Sequence, residues 1–248
     1  MFDFAEISKQ KSIVLNTDWR NVSHLFPDKY FDWVVDDIPY GINAANMPYI
    51  KSGKKQMKQK NGTEKKLSTK PKYQTYNWDK EPPTQDYFDE MCRISKHQII
   101  FGVDYVNWKN LGAGRIEWNN GVPEGMSFKS IERAYCSAID YTHHIDLLWS
   151  GMRQAADLDN PMLQQGNKKK NQQRIHPTEK PILLYKKLAL DFNMQNKKVF
   201  CAHNGSGADR IAWDNYIAQF IATEINSEYF MLQEQRYQIF KSHLLLNF

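Results

Sequence analysis

The stretch KVFCAHNGSGADRIAW, followed shortly by QFIATE, constrains this chain more than any other part of it. Residues 198–202 form a short apolar run rich in strand formers, Gly205 and Gly207 follow it, and a helical pattern opens at Ala208. Residues 219–223 form a second apolar run, closed by Glu224. Strand, glycine turn, helix, strand and closing acid together predict one half of a parallel α/β sheet. Glycines at the end of a strand let backbone N–H groups approach a ligand closely, and an acid at the end of the next strand accepts from ribose hydroxyls. A plain tight turn would also account for the glycines; the elements around them are what favour a nucleoside. Arg210 stands where the third glycine of a GxGxxG pattern would be, which argues for a mononucleoside rather than a dinucleotide.

Other segments extend the same architecture. Residues 12–17 and 32–36 read as strands ending at Asp18 and Asp37. Phe88, Met91, Cys92 and Ile94 recur at helical spacing over residues 85–95, and a buried strand follows at 98–101. Further strands are predicted near 115–118, 134–138, 144–149, 198–202 and 219–223. Helices are predicted after Pro181, with Leu184, Leu188 and Phe192 on one face, and over 227–243. With 248 residues and 41% hydrophobic content, the whole of 1–248 is expected to form one domain around one α/β core.

Several classes are disfavoured. The N-terminus has no basic stretch leading into an apolar run, and no eighteen consecutive residues are apolar, so a soluble, cytoplasmic protein without membrane contact is expected. Cys92, Cys136 and Cys201 are widely separated, which predicts reduced thiols rather than disulfides or a zinc site. His143 and His144 are adjacent on a predicted strand and point to opposite faces, so no metal site is expected from them.

The formal net charge is +5, but residues 51–72 carry nine lysines against the single acid Glu64, which leaves the remainder slightly acidic. This segment lies within a polar stretch, 43–79, too long for an ordinary connection and read as a mobile basic loop. A second cluster, Lys168, Lys169 and Lys170 with Arg174, comes much later. One lysine run alone is as consistent with a solvated loop; two, each beside a candidate site, point to a polyanionic partner. Lys51, Lys54, Lys55 and Lys58 in the first and Lys168 to Lys170 in the second are the candidate phosphate contacts.

Between the first two predicted strands and the basic loop stands Asp37-Ile38-Pro39-Tyr40. An aromatic amine is a poor nucleophile because its lone pair is conjugated into the ring. Closely set acceptors that draw on its protons favour a more tetrahedral nitrogen. Asp37 offers a carboxylate and Ile38 a carbonyl, which Pro39 helps to aim by holding the residue before it extended. Tyr40 offers a face on which a flipped base can stack. A strand ending in an Asp-Pro turn with a packing tyrosine is the alternative.

Asp37-Ile38-Pro39-Tyr40-Gly41 resembles the D-P-P-Y motif of amino-methyltransferases, and His176-Pro177-Thr178-Glu179-Lys180-Pro181 is similar to their H-P-T-[QE]-K-P segment. Because the tetrapeptide precedes the glycine turn, the order looks like that of the circularly permuted β-group of adenine-N6 and cytosine-N4 DNA methyltransferases. That resemblance implies a Rossmann-like fold with a mostly parallel sheet and a small target-recognition insertion, placed at 112–174. It implies S-adenosylmethionine as cofactor, double-stranded DNA as partner, and a cognate restriction nuclease or none. A monomer or homodimer is expected.

Position by position, the resemblance places Asp18 near the cofactor adenine, Gly205, Ser206 and Gly207 around its methionine portion, and Glu224 on its ribose. Thr178 and Lys180 fall beside the cofactor, and Cys201 and His203 in the glycine turn. The aspartate that opens the tetrapeptide favours adenine. Cytosine-N4 transfer, or a DNA-binding homologue with impaired catalysis, are the alternatives. Three positions depart from the family pattern. Ile38 replaces a proline, Thr17 replaces a glycine, and Cys201-Ala202-His203 replace D-P-F. The last predicts weakened cofactor binding, since a thiol is a poorer acceptor than a carboxylate.

Overall fold

The computed structural model describes residues 2–43, 79–123 and 129–245, and the backbone of two short strands at 56–58 and 64–66. Asp3 caps a short helix, α1 (Phe4–Ile7), and the chain then enters β1 (Ser12–Leu15). A 3-10 turn at Trp19–Asn21 leads on to β2 (Phe31–Asp37). The strands β3 (Gln56–Lys58) and β4 (Glu64–Lys66) pair antiparallel inside the lysine-rich segment. Helix α2 (Gln85–Ile94) runs directly into β5 (Ser95–Phe101). Next come β6 (Arg115–Asn119), β7 (Ile131–Cys136) and β8 (Thr142–Asp146), then a hairpin of β9 (Trp149–Ser150) and β10 (Arg153–Gln154). The last part alternates strictly: α3 (Ile182–Asp191), β11 (Lys198–Cys201), α4 (Ala208–Ala212), β12 (Gln219–Thr223) and α5 (Ser227–Leu245).

Eight strands form one sheet in the order β1-β12-β11-β2-β5-β7-β6-β8. The five from β1 to β5 are mutually parallel, β7 runs against both its neighbours, and β6 and β8 are parallel to each other. This is the Rossmann-like, mostly parallel α/β fold that the alternation of elements predicts. Neighbouring residues of a strand face opposite sides, and the core divides accordingly. Val35, Ile99, Val199 and Ala222 join Leu184 and Leu188 of α3 on one face, while Val34, Ile100, Phe200 and Ile221 join Phe88 and Met91 of α2 on the other. Burial on both faces explains why these strands read as continuous apolar runs instead of alternating ones.

The expected elements appear with boundary shifts. The strand expected at 144–149 is instead 142–146, because Trp149 leaves the sheet and pairs with Gln154 in the β9–β10 hairpin. The strand expected at 134–138 runs from Ile131 to Cys136. Within 112–174, β6, β7 and β8 continue the central sheet, and after Asp146 the chain leaves it until β11.

From β11 the chain proceeds through α4 to β12 on one side, whereas β2 leads to β5 on the other. The topological switch therefore lies between β11 and β2, where open α/β sheets hold their ligands beyond the carboxyl ends of the strands.

Candidate active site at the carboxyl edge of the sheet

The parallel register brings the ends of β2, β5, β11 and β12 to one edge: Asp37 pairs with Phe101, and Cys201 with Ala222. Asp37 thus stands at the switch point. Its Oδ1 lies 2.5 Å from Lys180 Nζ, and Glu132 Oε2 is 3.2 Å from the same ammonium. Lys180 also donates to Tyr40 Oη at 2.9 Å, and that hydroxyl donates to Asp37 Oδ1 at 2.9 Å. The Lys180 side chain is 3% exposed, so its charge is held by these partners and by the rings of Phe101 and Tyr40. Burial and the nearby Glu132 carboxylate push the Asp37 carboxyl above the ordinary range, against the pull of Lys180. Burial would lower the Lys180 ammonium, but Asp37 and Glu132 hold it above its usual value. Two carboxylates sharing one ammonium leave the group with an excess negative charge, suited to accepting protons from an amine.

Gly102 and Tyr105 position Tyr40. Gly102, which follows β5 with φ +91°, would place a Cβ 2.5 Å from the Tyr40 ring, so the tyrosine occupies the space a side chain would fill. The Tyr105 ring lies parallel to Tyr40 with centroids 4.7 Å apart and an interplanar angle of 12°. Ile38 turns its side chain into the core beside these rings.

The glycine turn follows β11 as predicted. Gly205 and Gly207 have φ of +56° and +65°, conformations that favour glycine. The Glu224 carboxylate accepts from the backbone N–H of Gly205 (2.8 Å) and of Asn226 (2.7 Å), so one oxygen ties the turn and each keeps a lone pair. Burial raises its pKa, opposed by these two amides. Asp18 caps its 3-10 turn through Arg20 N and pairs with the Arg20 guanidinium at 3.1 Å. Asn204 donates from its Nδ2 to Asp209 (3.0 Å), and its Oδ1 is buried and, among the described residues, has no hydrogen-bond partner.

Cys201 carries the departure from the family pattern, and its surroundings were not anticipated. Its thiol donates to Asp36 Oδ1 at 3.4 Å. Asp36, the residue before Asp37, is fully buried and also accepts from Tyr87 Oη, from the His203 backbone N–H (2.9 Å) and from His203 Nδ1 (2.7 Å). A carboxylate is therefore present beside the position where the family has one, but it comes from the neighbouring strand and reaches outward through His203. Burial alone would raise the Asp36 carboxyl, yet His203 holds it below the usual range. Burial would lower the imidazole, yet Asp36, Glu224 and Asp18 hold it above 6.5. The clue in the sequence was the pair of consecutive acids at Asp36 and Asp37. On a strand they face opposite ways, so one of them had to be buried and paired.

The HPTEKP segment links the two halves of the edge. His176 lies against Gly205 and Tyr229, with Thr178 Oγ1 3.2 Å from its Nδ1. Lys180 reaches the tetrapeptide rather than the glycine turn. Between them, the Glu179 carboxylate is buried and accepts from Ile175 N, Gln172 Nε2 and Arg236 of α5, the last at 2.8 Å. Glu132 and Glu179 were not singled out in the sequence, because an acid on a strand or after a threonine gives no local sign of its partner.

The sequence pattern of the DNA methylase family (N6_N4_Mtase) matches residues 7–235, which include every segment of this edge. The chain belongs to the N6/N4 DNA methylase family. Enzymes of this family take their methyl group from S-adenosylmethionine. Among solved structures, the cytosine-N4-specific PvuII DNA methyltransferase aligns with a TM-score of 0.51 at 10% identity, over 92% of this chain and 86% of that one. M1.HpyAVI in complex with SAM aligns at 0.48 and 14% identity, over 91% and 99%. TTHA0409, a putative DNA modification methylase from Thermus thermophilus, aligns at 0.45 and 14%, over 93% and 95%. At such identity the likeness to the PvuII methylase is one of fold. No curated protein sequence matches the chain.

Of the basic residues, Lys168, Lys169 and Lys170 form an exposed 3-10 turn capped by Asn167, whereas Arg174 packs its guanidinium on the Trp149 ring at 4.1 Å. Lys51, Lys54 and Lys55 lie outside the described residues, and Lys58 is placed by its backbone in β3. His143 bonds Asp191 (2.8 Å), and His144 pairs with Glu117 on the other side of β8. Among the described residues no cluster of metal-ligating side chains occurs, and no helix is long and apolar enough to cross a membrane.

Proposed function

We propose that this chain transfers a methyl group from S-adenosylmethionine to the N6 amine of adenine in double-stranded DNA. The observation that carries this reading is the placement of the Asp37 carboxylate at the switch point of the sheet, one strand away from the glycine turn. The open lone pairs of Glu224, the unpaired Asn204 Oδ1 and the glycine turn fit the polar groups of an adenosyl amino acid. When bound, that cofactor supplies an electrophilic methyl on a sulfonium.

The rest of the chemistry belongs to the chain. Asp37 accepts a hydrogen bond from the target amine and takes the proton that the nitrogen sheds as the new N–C bond forms. Lys180 fixes both Asp37 and Tyr40, so the acceptor and the stacking ring keep one geometry. Tyr40, backed by Tyr105, is the surface on which a flipped adenine stacks, worth about 1–3 kcal/mol per base. In this reading the order of the tetrapeptide before the glycine turn makes the chain a circularly permuted β-group enzyme. The segment outside the sheet from Leu147 to Arg174, with Lys168, Lys169 and Lys170, and the lysine-rich segment 43–79, contact the duplex.

Incubation with labelled S-adenosylmethionine and mixed-sequence DNA, followed by nucleoside analysis, tests this. Labelled N6-methyladenine is expected. Label on N4-methylcytosine would reassign the base, and a chain that binds cofactor and DNA without transfer would be the impaired homologue.

A further inference from the structure

We infer that the Asp36–His203 pair is the receptor for the carboxylate of the cofactor's amino acid end. This rests on the assignment of the glycine turn as the cofactor site. The geometry is specific. Asp36 is fully buried and takes four donors, two of them from His203, so the imidazole is locked by its Nδ1 and its own backbone N–H. The ring retains 21% exposure, and with Nδ1 turned onto a buried carboxylate, its free edge is the one that carries Nε2.

The groups facing His203 come from four elements: Asp36 from β2, Tyr87 from α2, Glu224 at the end of β12, and Asp18 after β1. Three are acids, and together they favour the doubly protonated ring. An imidazolium so held presents one N–H donor and a positive charge to the cleft, which a carboxylate matches and a sulfonium does not. The next residue, Asn204, holds the unpaired buried acceptor suited to the ammonium of the same amino acid. A cation and an acceptor on consecutive residues suit a zwitterion. The thiol of Cys201 is then no defect in binding: it is a donor to the carboxylate that holds His203 in place.

Isothermal titration of the full chain with three compounds tests this. They are S-adenosylmethionine, decarboxylated S-adenosylmethionine, and methylthioadenosine, which lacks the amino acid end. The wild-type chain is expected to prefer the carboxylated compound by about tenfold or more, a preference that fades as rising pH takes the proton from the ring. His203→Gln and Asp36→Asn should lose most of that preference and its pH dependence while binding methylthioadenosine as the wild type does, which also shows that they are folded. Should His203→Gln misfold, His203→Phe, the residue of the family pattern, replaces it. Undiminished preference in variants that bind methylthioadenosine would overturn the inference alone. Failure of the wild type to bind any of the three would overturn the cofactor site as well.

Discussion

Asp37 and Glu224 stand two strands apart on the same edge, and the proposed function gives them separable tasks. Asp37→Ala should lower the transfer rate by at least about 100-fold, the scale of a lost general base, with cofactor affinity nearly unchanged. On the proposed assignment, Glu224→Ala should weaken cofactor binding first, since its carboxylate ties the Gly205 amide of the glycine turn. Single-turnover rates measured beside binding constants separate the two, and equal loss of both quantities in both variants would contradict the division. Gly102→Ala is the sharpest steric test. A methyl at that position meets the Tyr40 ring and requires φ +91°, so transfer and thermal stability should both fall, by an amount on the order of 1–3 kcal/mol in the latter. The position of Asp37, Tyr40 and Glu224 at the sheet edge is legible in the sequence, because strand ends and a short motif mark them. Gly102, Asp36 and Glu132 are not, because their importance lies in what another strand brings against them.

Among the elements, the connection from Ile175 to Pro181 does the most to hold the site together, since His176 touches the glycine turn and Lys180 the tetrapeptide. Its anchor is Glu179, whose buried carboxylate pairs with Arg236 of α5. Removing one partner of such a pair strands the other, so Glu179→Ala should cost about 3–5 kcal/mol in urea unfolding. His176 offers a pH test of the same connection. Burial and the Lys180 charge push its pKa down to about 3, well below the value near 6.5 of an unfolded chain. Between those values the unfolded state binds the extra proton, so the contribution is full above pH 6.5 and is lost as pH falls toward 3. Wild-type stability should therefore decline relative to His176→Gln over that range. A constant difference across it would show that His176 takes up its proton as readily in the folded state. The helix after Pro181 and the strands on either side of α4 are marked by apolar spacing and apolar runs, whereas the end of β8 has no mark because Leu147, Leu148 and Trp149 continue an apolar run past the point where the backbone leaves the sheet.

For the molecule as a whole, the order of motifs along the chain is what turned separate weak signals into one architecture. The tetrapeptide, HPTEKP and the glycine turn are distant in sequence, and the parallel sheet collects them at a single edge because β2 lies next to β11. Strand adjacency of this kind has no local signature, which is why the alternation of elements predicted the fold class while the contacts among Asp36, Cys201 and His203 had to be seen. The proposed activity stands on two things, the base that is methylated and the residue that activates its amine. Modification-sensitive sequencing of DNA from cells that express the wild-type chain or Asp37→Ala tests both at once. N6-methyladenine is expected at one recurring short sequence in the first and should be absent in the second. Methylation confined to cytosine, or adenine marks that persist in the Asp37→Ala cells, would contradict it.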